Sequence, residues 1–204
     1  TLEAYRERAA KLNILKILDT AIVNPHTERN LDALKNGYAV ITLHRPSNVD
    51  NREVLEALVD YFVDELSKEI PVIWTFHPRT RKQLELFALS KKIITCPNVM
   101  PVEPLGYREM LRLNLDAKVV FTDSGGLQEE CCVLGTPCIT LRENTERPVT
   151  LRQHGGTAEL AGHDIGRIRT LTAAMKDAGR RPSRPPLWDG HAAERIVESF
   201  LSLV

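Results

Sequence analysis

Five short runs rich in β-branched and aromatic residues recur along this 204-residue chain, at Tyr38–Leu43, Pro71–Phe76, Asn98–Val102, Lys118–Thr122 and Pro137–Leu141. Longer stretches with apolar residues at helical spacing fill the gaps. Val54, Leu55, Leu58, Val59 and Phe62 form one such set, Leu84, Phe87 and Ala88 a second, and Met110 with Leu111 a shorter third. This alternation predicts an α/β fold of repeated strand–helix units, with a parallel sheet covered by helices on both faces.

The two ends depart from the pattern. Leu2 to Leu18 carries charged residues with Leu12, Ile14, Leu15 and Ile17 between them, and no strand precedes it. It reads as a linker helix, so residues 1–36 are expected to be a lead-in and residues 37–178 the sheet-bearing domain. From Gly179 to Pro186 prolines and glycine interrupt any helix. Residues 179–204 are then a proline-rich loop and a last helix from His191 to Leu203, with Ile196, Val197, Phe200 and Leu201 along one face that must dock somewhere.

Charge narrows the partner. Twenty-seven basic residues balance 27 acidic ones, which argues against a nucleic-acid surface or an anionic membrane and favours a small polar ligand. No apolar run approaches the roughly 20 residues of a membrane span, and the charged start of the chain is unlike a signal peptide; the expected location is the cytoplasm. Cys96, Cys131, Cys132 and Cys138 form no CxxC pair and no metal-like spacing with histidine. Buried free thiols are expected, and no metal site.

In open parallel sheets ligands lie beyond the carboxyl ends of the strands, where helix N-termini attract anions. Three strand ends carry chemistry: Thr42-Leu43-His44-Arg45-Pro46-Ser47-Asn48, Thr75-Phe76-His77-Pro78-Arg79, and Thr122-Asp123-Ser124-Gly125-Gly126. Gly125 and Gly126 remove side chains where backbone N–H groups would approach phosphate oxygens, and Ser124 is a plausible N-cap. Taken alone, Ser-Gly-Gly is equally well a tight strand-to-helix turn. Gln128, Glu129 and Glu130 suit a positive helix end, but a carboxylate beside a diphosphate is tolerable only if it faces a neutral group such as a ribose diol. Glu129 and Glu130 point about 100° apart on a helix, so one of them can do so while the other meets solvent. Arg142 and Arg147, after the fifth strand, either neutralise phosphate or serve Glu143 and Glu146 in an ion-paired loop. His44 is a candidate acid, base or phosphate donor, or a structural strand-end histidine; His77, before Pro78, more simply fixes a turn.

Several segments together resemble the non-hydrolysing UDP-N-acetylglucosamine 2-epimerases in order and spacing. They are Val40 to Asp50, Phe76 to Arg81, Asp123 to Glu130, Gly135 to Cys138, Leu141 to Val149 and Asp189 to Val197. The resemblance implies a Rossmann-like sheet forming the C-terminal domain of a GT-B two-domain fold, with the active site in the cleft between two halves. The acidic catalytic residues and a lysine would then lie in the other half. Carried over by motif, Ser124, Gly125 and Gly126 would hold the diphosphate and Glu130 the ribose hydroxyls. Leu105 and Met110 would border the uracil, Arg147 would contact the ligand, and His44 would be catalytic beside the pyrophosphate. Arg45 and His77 match positions implicated in allosteric activation by a second substrate molecule. Leu105, Met110 and His154-Gly155-Gly156-Thr157-Ala158 depart from the residues found in some relatives. The implied reaction inverts C2 of a UDP-sugar, by elimination and re-addition of UDP, with no cofactor, in a homodimeric full-length enzyme of cell-surface polysaccharide biosynthesis. The alternative is the donor-binding half of a GT-B glycosyltransferase.

Overall fold

The structure, a computed structural model, describes residues 2–24 and 27–202. Six strands, β1 (Ala39–Leu43), β2 (Val72–Phe76), β3 (Val99–Val102), β4 (Val119–Thr122), β5 (Cys138–Thr140) and β6 (Ala158–Leu160), form one sheet in the order β3-β2-β1-β4-β5-β6. Every pairing is parallel. The order runs outward from β1 in one direction and from β4 in the other, which is the doubly wound Rossmann arrangement. Its crevice lies where β1 and β4 meet and their following connections diverge.

The five strands expected from the sequence are all present. The sixth, β6, is not legible as one: three residues, Ala158-Glu159-Leu160, follow a glycine-rich stretch, and they become a strand because the free edge of β5 pairs with them, Cys138 against Ala158 and Thr140 against Leu160.

The helices are α1 (Leu2–Ala10), α2 (Ile14–Ala21), α3 (Pro46–Val49), α4 (Arg52–Asp60), α5 (Ser67–Glu69), α6 (Pro78–Leu86), α7 (Ser90–Ile94), α8 (Tyr107–Asp116), α9 (Gly125–Leu134), α10 (Ile165–Met175) and α11 (Ala192–Leu201), with a π-helical segment, Tyr61–Leu66, joining α4 to α5. The single lead-in helix expected over Leu2 to Leu18 is two. The first stops at Ala10, and Asn13, in extended conformation, caps the next, its side chain accepting from the backbone N–H of Leu15 at 2.9 Å. Nor is this lead-in detached from the core: Ala9 packs with Leu111 and Leu134, and Leu18 and Ala21 pack under the sheet. The helix expected to run through Phe87 and Ala88 stops at Leu86, and Ala88 takes a left-handed φ of +59°.

Alternate residues along each strand feed two separate hydrophobic layers. Ile41, Trp74, Phe121 and Ile139 face one layer, where the Phe62 ring stands edge-on to Trp74 and Phe121 at centroid distances of 5.4 and 5.3 Å. Val40, Ile73, Val120 and Cys138 face the other, against Leu113, Leu127 and Cys131. Burial on both faces explains why the strand sequences are continuously apolar. Cys131, Cys132 and Cys138 are buried free thiols and Cys96 is half-buried and free.

The proline-rich stretch after α10 is anchored. Arg180 donates to the carbonyl oxygens of Asn114 and Ala117 at 2.7 and 3.0 Å and to Thr136 Oγ1 at 2.6 Å. Arg181 N–H meets Gly135 O and Ser183 N–H meets Cys132 O. Gly135 closes α9 at φ +78°, and a methyl group there would run into the Pro182 backbone nitrogen. Only a residue without a side chain satisfies both conditions. Beyond this anchor, α11 leaves Ile196, Val197, Phe200 and Leu201 56–70% exposed. Among the described residues no helix is long and apolar enough to cross a membrane.

Candidate functional site

A cleft of about 360 Å³ opens at the carboxyl ends of β1, β2 and β4. Its walls include Thr42, His44, Thr75, His77, Pro104, Leu105, Tyr107, Met110, Ser124, Gly126, Leu127 and Glu130. Seven of the ten residues singled out from the sequence, His44, His77, Leu105, Met110, Ser124, Gly126 and Glu130, therefore share one cavity, although they come from four connections. Gly125, Arg45 and Arg147 do not line it. Gly125 lies between Ser124 and Gly126 at the cleft edge, and Arg45 and Arg147 pair with Glu146 and Glu129.

The N-terminus of α9 explains the Ser-Gly-Gly turn. The opening N–H groups of a helix lack intrahelical acceptors. Here Ser124 N–H donates to Thr122 Oγ1 at 3.0 Å, and Leu127 N–H donates to Ser124 Oγ at 3.4 Å. That leaves Gly125 and Gly126, whose N–H groups have no partner among the described residues and sit at the positive end of the helix. Neither glycine has a positive φ. A methyl at Gly125 would meet nothing closer than Arg147 Cγ at 3.8 Å, and one at Gly126 nothing closer than Ser124 Oγ at 3.9 Å. The turn would accept alanine at either position. Glycine in a helix costs up to about 1 kcal/mol relative to alanine, so two consecutive glycines here have no purpose in the fold itself. What they provide is a bare backbone surface with two free donors, which is what a phosphate requires.

Asp123, directly before this turn, is fully buried and gathers the loop after β1. Its Oδ2 accepts from the backbone N–H groups of His44 and Arg45 and from Asn48 Nδ2, each at 2.9 Å; its Oδ1 faces His44 Nδ1 at 2.7 Å. Arg45 Nε returns a bond to Asp123 O at 3.0 Å. Burial pushes the carboxyl pKa up, but the donors from His44, Asn48 and Arg45 outweigh it and hold the group below the usual carboxylate range. Asp123 and Asn48 are the functional residues that sequence reasoning left without a role. Their signal was present: an acid at the end of one inner strand and an amide three residues into a helix after the other are partners in this sheet order.

His44 lies with its ring 5.5 Å from that of His77. His77 also caps α6, its Nδ1 accepting from Arg79 N–H at 3.2 Å, which is the turn-fixing role expected of a histidine before proline. Glu130 sits deeper. Burial, helped by the nearby charge of Glu129 and opposed by the Tyr107 hydroxyl, pushes its carboxyl up to about 6. Of the two adjacent glutamates, Glu130 faces the cleft, while Glu129 turns outward to pair with Arg147.

Of the ion pairs open to the loop after β5, Arg142 forms the expected one within the loop and Arg147 does not. Arg142 is buried and grips Glu146 with both terminal nitrogens at 2.6 and 2.8 Å; this holds the Glu146 carboxyl down at about 2. Arg147 donates to the Glu146 backbone oxygen at 3.2 Å but pairs with the carboxylate of Glu129 and not with those of its own loop. The loop is tied to α9 by buried Gln128, which donates to Thr150 Oγ1 at 2.6 Å and accepts from Thr145 Oγ1 at 2.9 Å. Arg45 reaches Glu146 at 3.5 Å. Among the described residues no group of histidine, cysteine or acidic side chains could hold a metal ion.

A family model described as UDP-N-acetylglucosamine 2-epimerase matches residues 11–201. The chain belongs to this family. It is 43% identical, over 78% of its length, to the UDP-N-acetylglucosamine 2-epimerase of Methanococcus maripaludis, of which it covers 43%. It is 36% identical, over 71% of its length, to the UDP-2,3-diacetamido-2,3-dideoxy-D-glucuronate 2-epimerase of Pseudomonas aeruginosa, covering 40% of that protein. The crystal structure of the Methanocaldococcus jannaschii UDP-GlcNAc 2-epimerase in complex with UDP-GlcNAc and UDP superposes with a TM-score of 0.79 at 33% identity, over 98% of this chain and 52% of that one. The chain thus spans about half the length of the family members it matches, and its α/β fold is that of one Rossmann-like half of these GT-B proteins.

Proposed function

We propose that this chain is the UDP-binding half of an enzyme that inverts C2 of a UDP-N-acetylhexosamine, interconverting UDP-N-acetylglucosamine and UDP-N-acetylmannosamine. The observation that carries the proposal is the pair of unpartnered N–H groups at Gly125 and Gly126. The fold has no need of glycine there, and the groups open beside the cavity that His44 and Glu130 line. Family membership supplies the reaction, and the M. jannaschii structure, whose ligands are UDP-GlcNAc and UDP, supplies the ligand class.

In this reading the diphosphate rests on the two glycine N–H groups with Ser124 beside it, and Arg147 swings from Glu129 onto a phosphate oxygen. Glu130 accepts from the ribose hydroxyls, and Leu105 and Met110 border the uracil. The reaction breaks the bond between C1 and the β-phosphate oxygen and takes a proton from C2, giving UDP and an unsaturated sugar. UDP then adds back, and the proton returns on the opposite face. Negative charge grows on the departing phosphate oxygen, and fixed N–H donors at a helix N-terminus, together with His44, stabilise that charge without reorganising. The groups that move the C2 proton are assigned to the partner half of the cleft, so this chain alone is expected not to epimerise.

Titration calorimetry with UDP tests the binding reading. A Kd on the order of 10 μM to 1 mM is expected for half of a two-sided cleft; no heat at saturating UDP would overturn it. Epimerisation is tested with the full two-half protein, by following UDP-N-acetylmannosamine formation by proton NMR. Transfer of the sugar to an acceptor instead would favour a glycosyltransferase, and C2 inversion by this chain alone would refute the division of labour.

A further inference from the structure

Asp123 does not line the cleft, yet its carboxylate meets four nitrogens of the loop after β1, those of His44 N–H, Arg45 N–H, Asn48 Nδ2 and His44 Nδ1. Of the two carboxylate oxygens, Oδ2 accepts from Arg45 N–H and Asn48 Nδ2, the His44 N–H is shared between Oδ2 at 2.9 Å and Oδ1 at 3.2 Å, and Oδ1 faces His44 Nδ1 at 2.7 Å. An ionised carboxylate accepts only, so the proton of this contact lies on Nδ1. The other ring nitrogen, Nε2, has no partner among the described residues and belongs to a side chain that is 39% exposed in the cleft wall.

Resting on the proposed reading of the site, we propose that Asp123 is the positioning residue that fixes His44 as its Nδ1–H tautomer, so that Nε2 is the nitrogen offered to the leaving diphosphate. A buried carboxylate facing Nδ1 compensates the imidazolium from behind: Nε2 takes a proton from solvent water in the open cleft, delivers it to the departing phosphate oxygen as the C1–O bond breaks, and takes it back when UDP adds again. The same carboxylate sets the ring's angle, because it also holds the His44 and Arg45 backbone N–H groups. Side chain and main chain of the β1 loop are thus clamped to β4 through one group, and the clamp sits one residue before the phosphate turn.

The clamp makes a specific forecast for Asp123→Asn. An asparagine has one accepting oxygen and one donating amide. Two donors, Arg45 N–H and Asn48 Nδ2, bond Oδ2 alone and the shared His44 N–H lies closer to it, so the asparagine oxygen takes the Oδ2 side, and its NH2 faces His44 Nδ1. A donor there demands a lone pair on Nδ1, so the ring is expected to flip to the Nε2–H tautomer. The backbone clamp survives.

Imidazole nitrogen-15 spectra of the chain at a pH where His44 is neutral, assigned with His44→Gln, read this directly. The wild-type chain should show protonated Nδ1 and D123N protonated Nε2. A wild-type Nε2–H tautomer overturns the assignment, and so does an unchanged tautomer in a folded D123N. Because the wild-type spectrum is decisive alone, a D123N chain that does not fold leaves the test standing. In the two-half enzyme D123N should lower kcat by about 10²- to 10⁴-fold, the range that a positioned general acid contributes, with KM for the UDP-sugar within a few-fold; unchanged kcat would refute the role. A UDP titration of the wild-type chain separates the two levels. An Nδ1–H tautomer without UDP binding refutes the proposed function and keeps the Asp123–His44 assignment, whereas UDP binding with an Nε2–H tautomer does the reverse.

Discussion

Glu130→Gln is expected to stabilise the fold at alkaline pH while weakening UDP binding. Burial raises the Glu130 carboxyl from its ordinary value of 4.5 to about 6. A raised acid is protonated more readily in the folded chain than in the unfolded one, so folding gains from this group below about pH 4.5 and progressively loses that gain as pH rises through 6. The difference of about 1.5 units corresponds to roughly 2 kcal/mol at 1.36 kcal/mol per unit. The cleft is open to water, which screens part of it, and about 1 kcal/mol is the working figure. Glutamine carries no charge to desolvate and keeps a partner for the Tyr107 hydroxyl. Urea titrations should therefore find the variant more stable than wild type by about 1 kcal/mol at pH 8, the gap falling to roughly half of that at pH 5. Tyr107, whose hydroxyl burial and the nearby Glu130 raise to about 12, stays neutral throughout this pH range in both proteins. Calorimetry at pH 8 should find UDP affinity lower by about 10- to 100-fold, the worth of a charge-assisted hydrogen bond of about 1.5–3 kcal/mol. A stability gap that does not change with pH would refute the desolvation argument, and equal UDP affinity would refute the ribose role.

The phosphate turn gives the complementary result. Gly125→Ala and Gly126→Ala should leave thermal stability unchanged or raise it by up to about 1 kcal/mol, and should cut UDP affinity at least about tenfold, since 1.4 kcal/mol suffices for that; intact affinity in both variants would remove the phosphate cradle. Gly135→Ala, at φ +78° and against Pro182, should cost about 1–3 kcal/mol in chemical denaturation, and a neutral result would mean the chain around Pro182 yields freely. Phe200→Glu, on a face 68% exposed in this chain, should change stability by no more than about 0.5 kcal/mol, while lowering self-association in sedimentation equilibrium. A wild-type chain that is strictly monomeric would show that the apolar face of α11 does not drive association.

What was legible in the sequence was whatever repeats or is local. The strands announced themselves because a sheet covered on both faces needs unbroken apolar runs, and the helices because one buried face recurs every 3.6 residues. β6 was not visible because nothing within Ala158-Glu159-Leu160 favours a strand; it is imposed by the open edge of β5, a tertiary cause with no local signature. The break at Asn13 was missed for the opposite reason. Apolar residues continue in helical register across it, and only the capping character of one asparagine marks the stop.

The site divides along the same line. Ser124, Gly125, Gly126 and Glu130 lie within seven consecutive residues, so their chemistry could be read off one segment, but the sequence left the glycines balanced between a tight turn and a phosphate cradle. Three-dimensional geometry breaks the tie, because only there can one see that a side chain would fit at either glycine and that the neighbouring N–H groups are already satisfied. Asp123 and His44 are separated by 79 positions. They meet because the strand order places β4 beside β1, and reading residues one connection at a time cannot reveal that contact. The sheet order is therefore part of the site: had β4 paired with any strand but β1, the acid would have no imidazole to hold and the phosphate turn no histidine beside it.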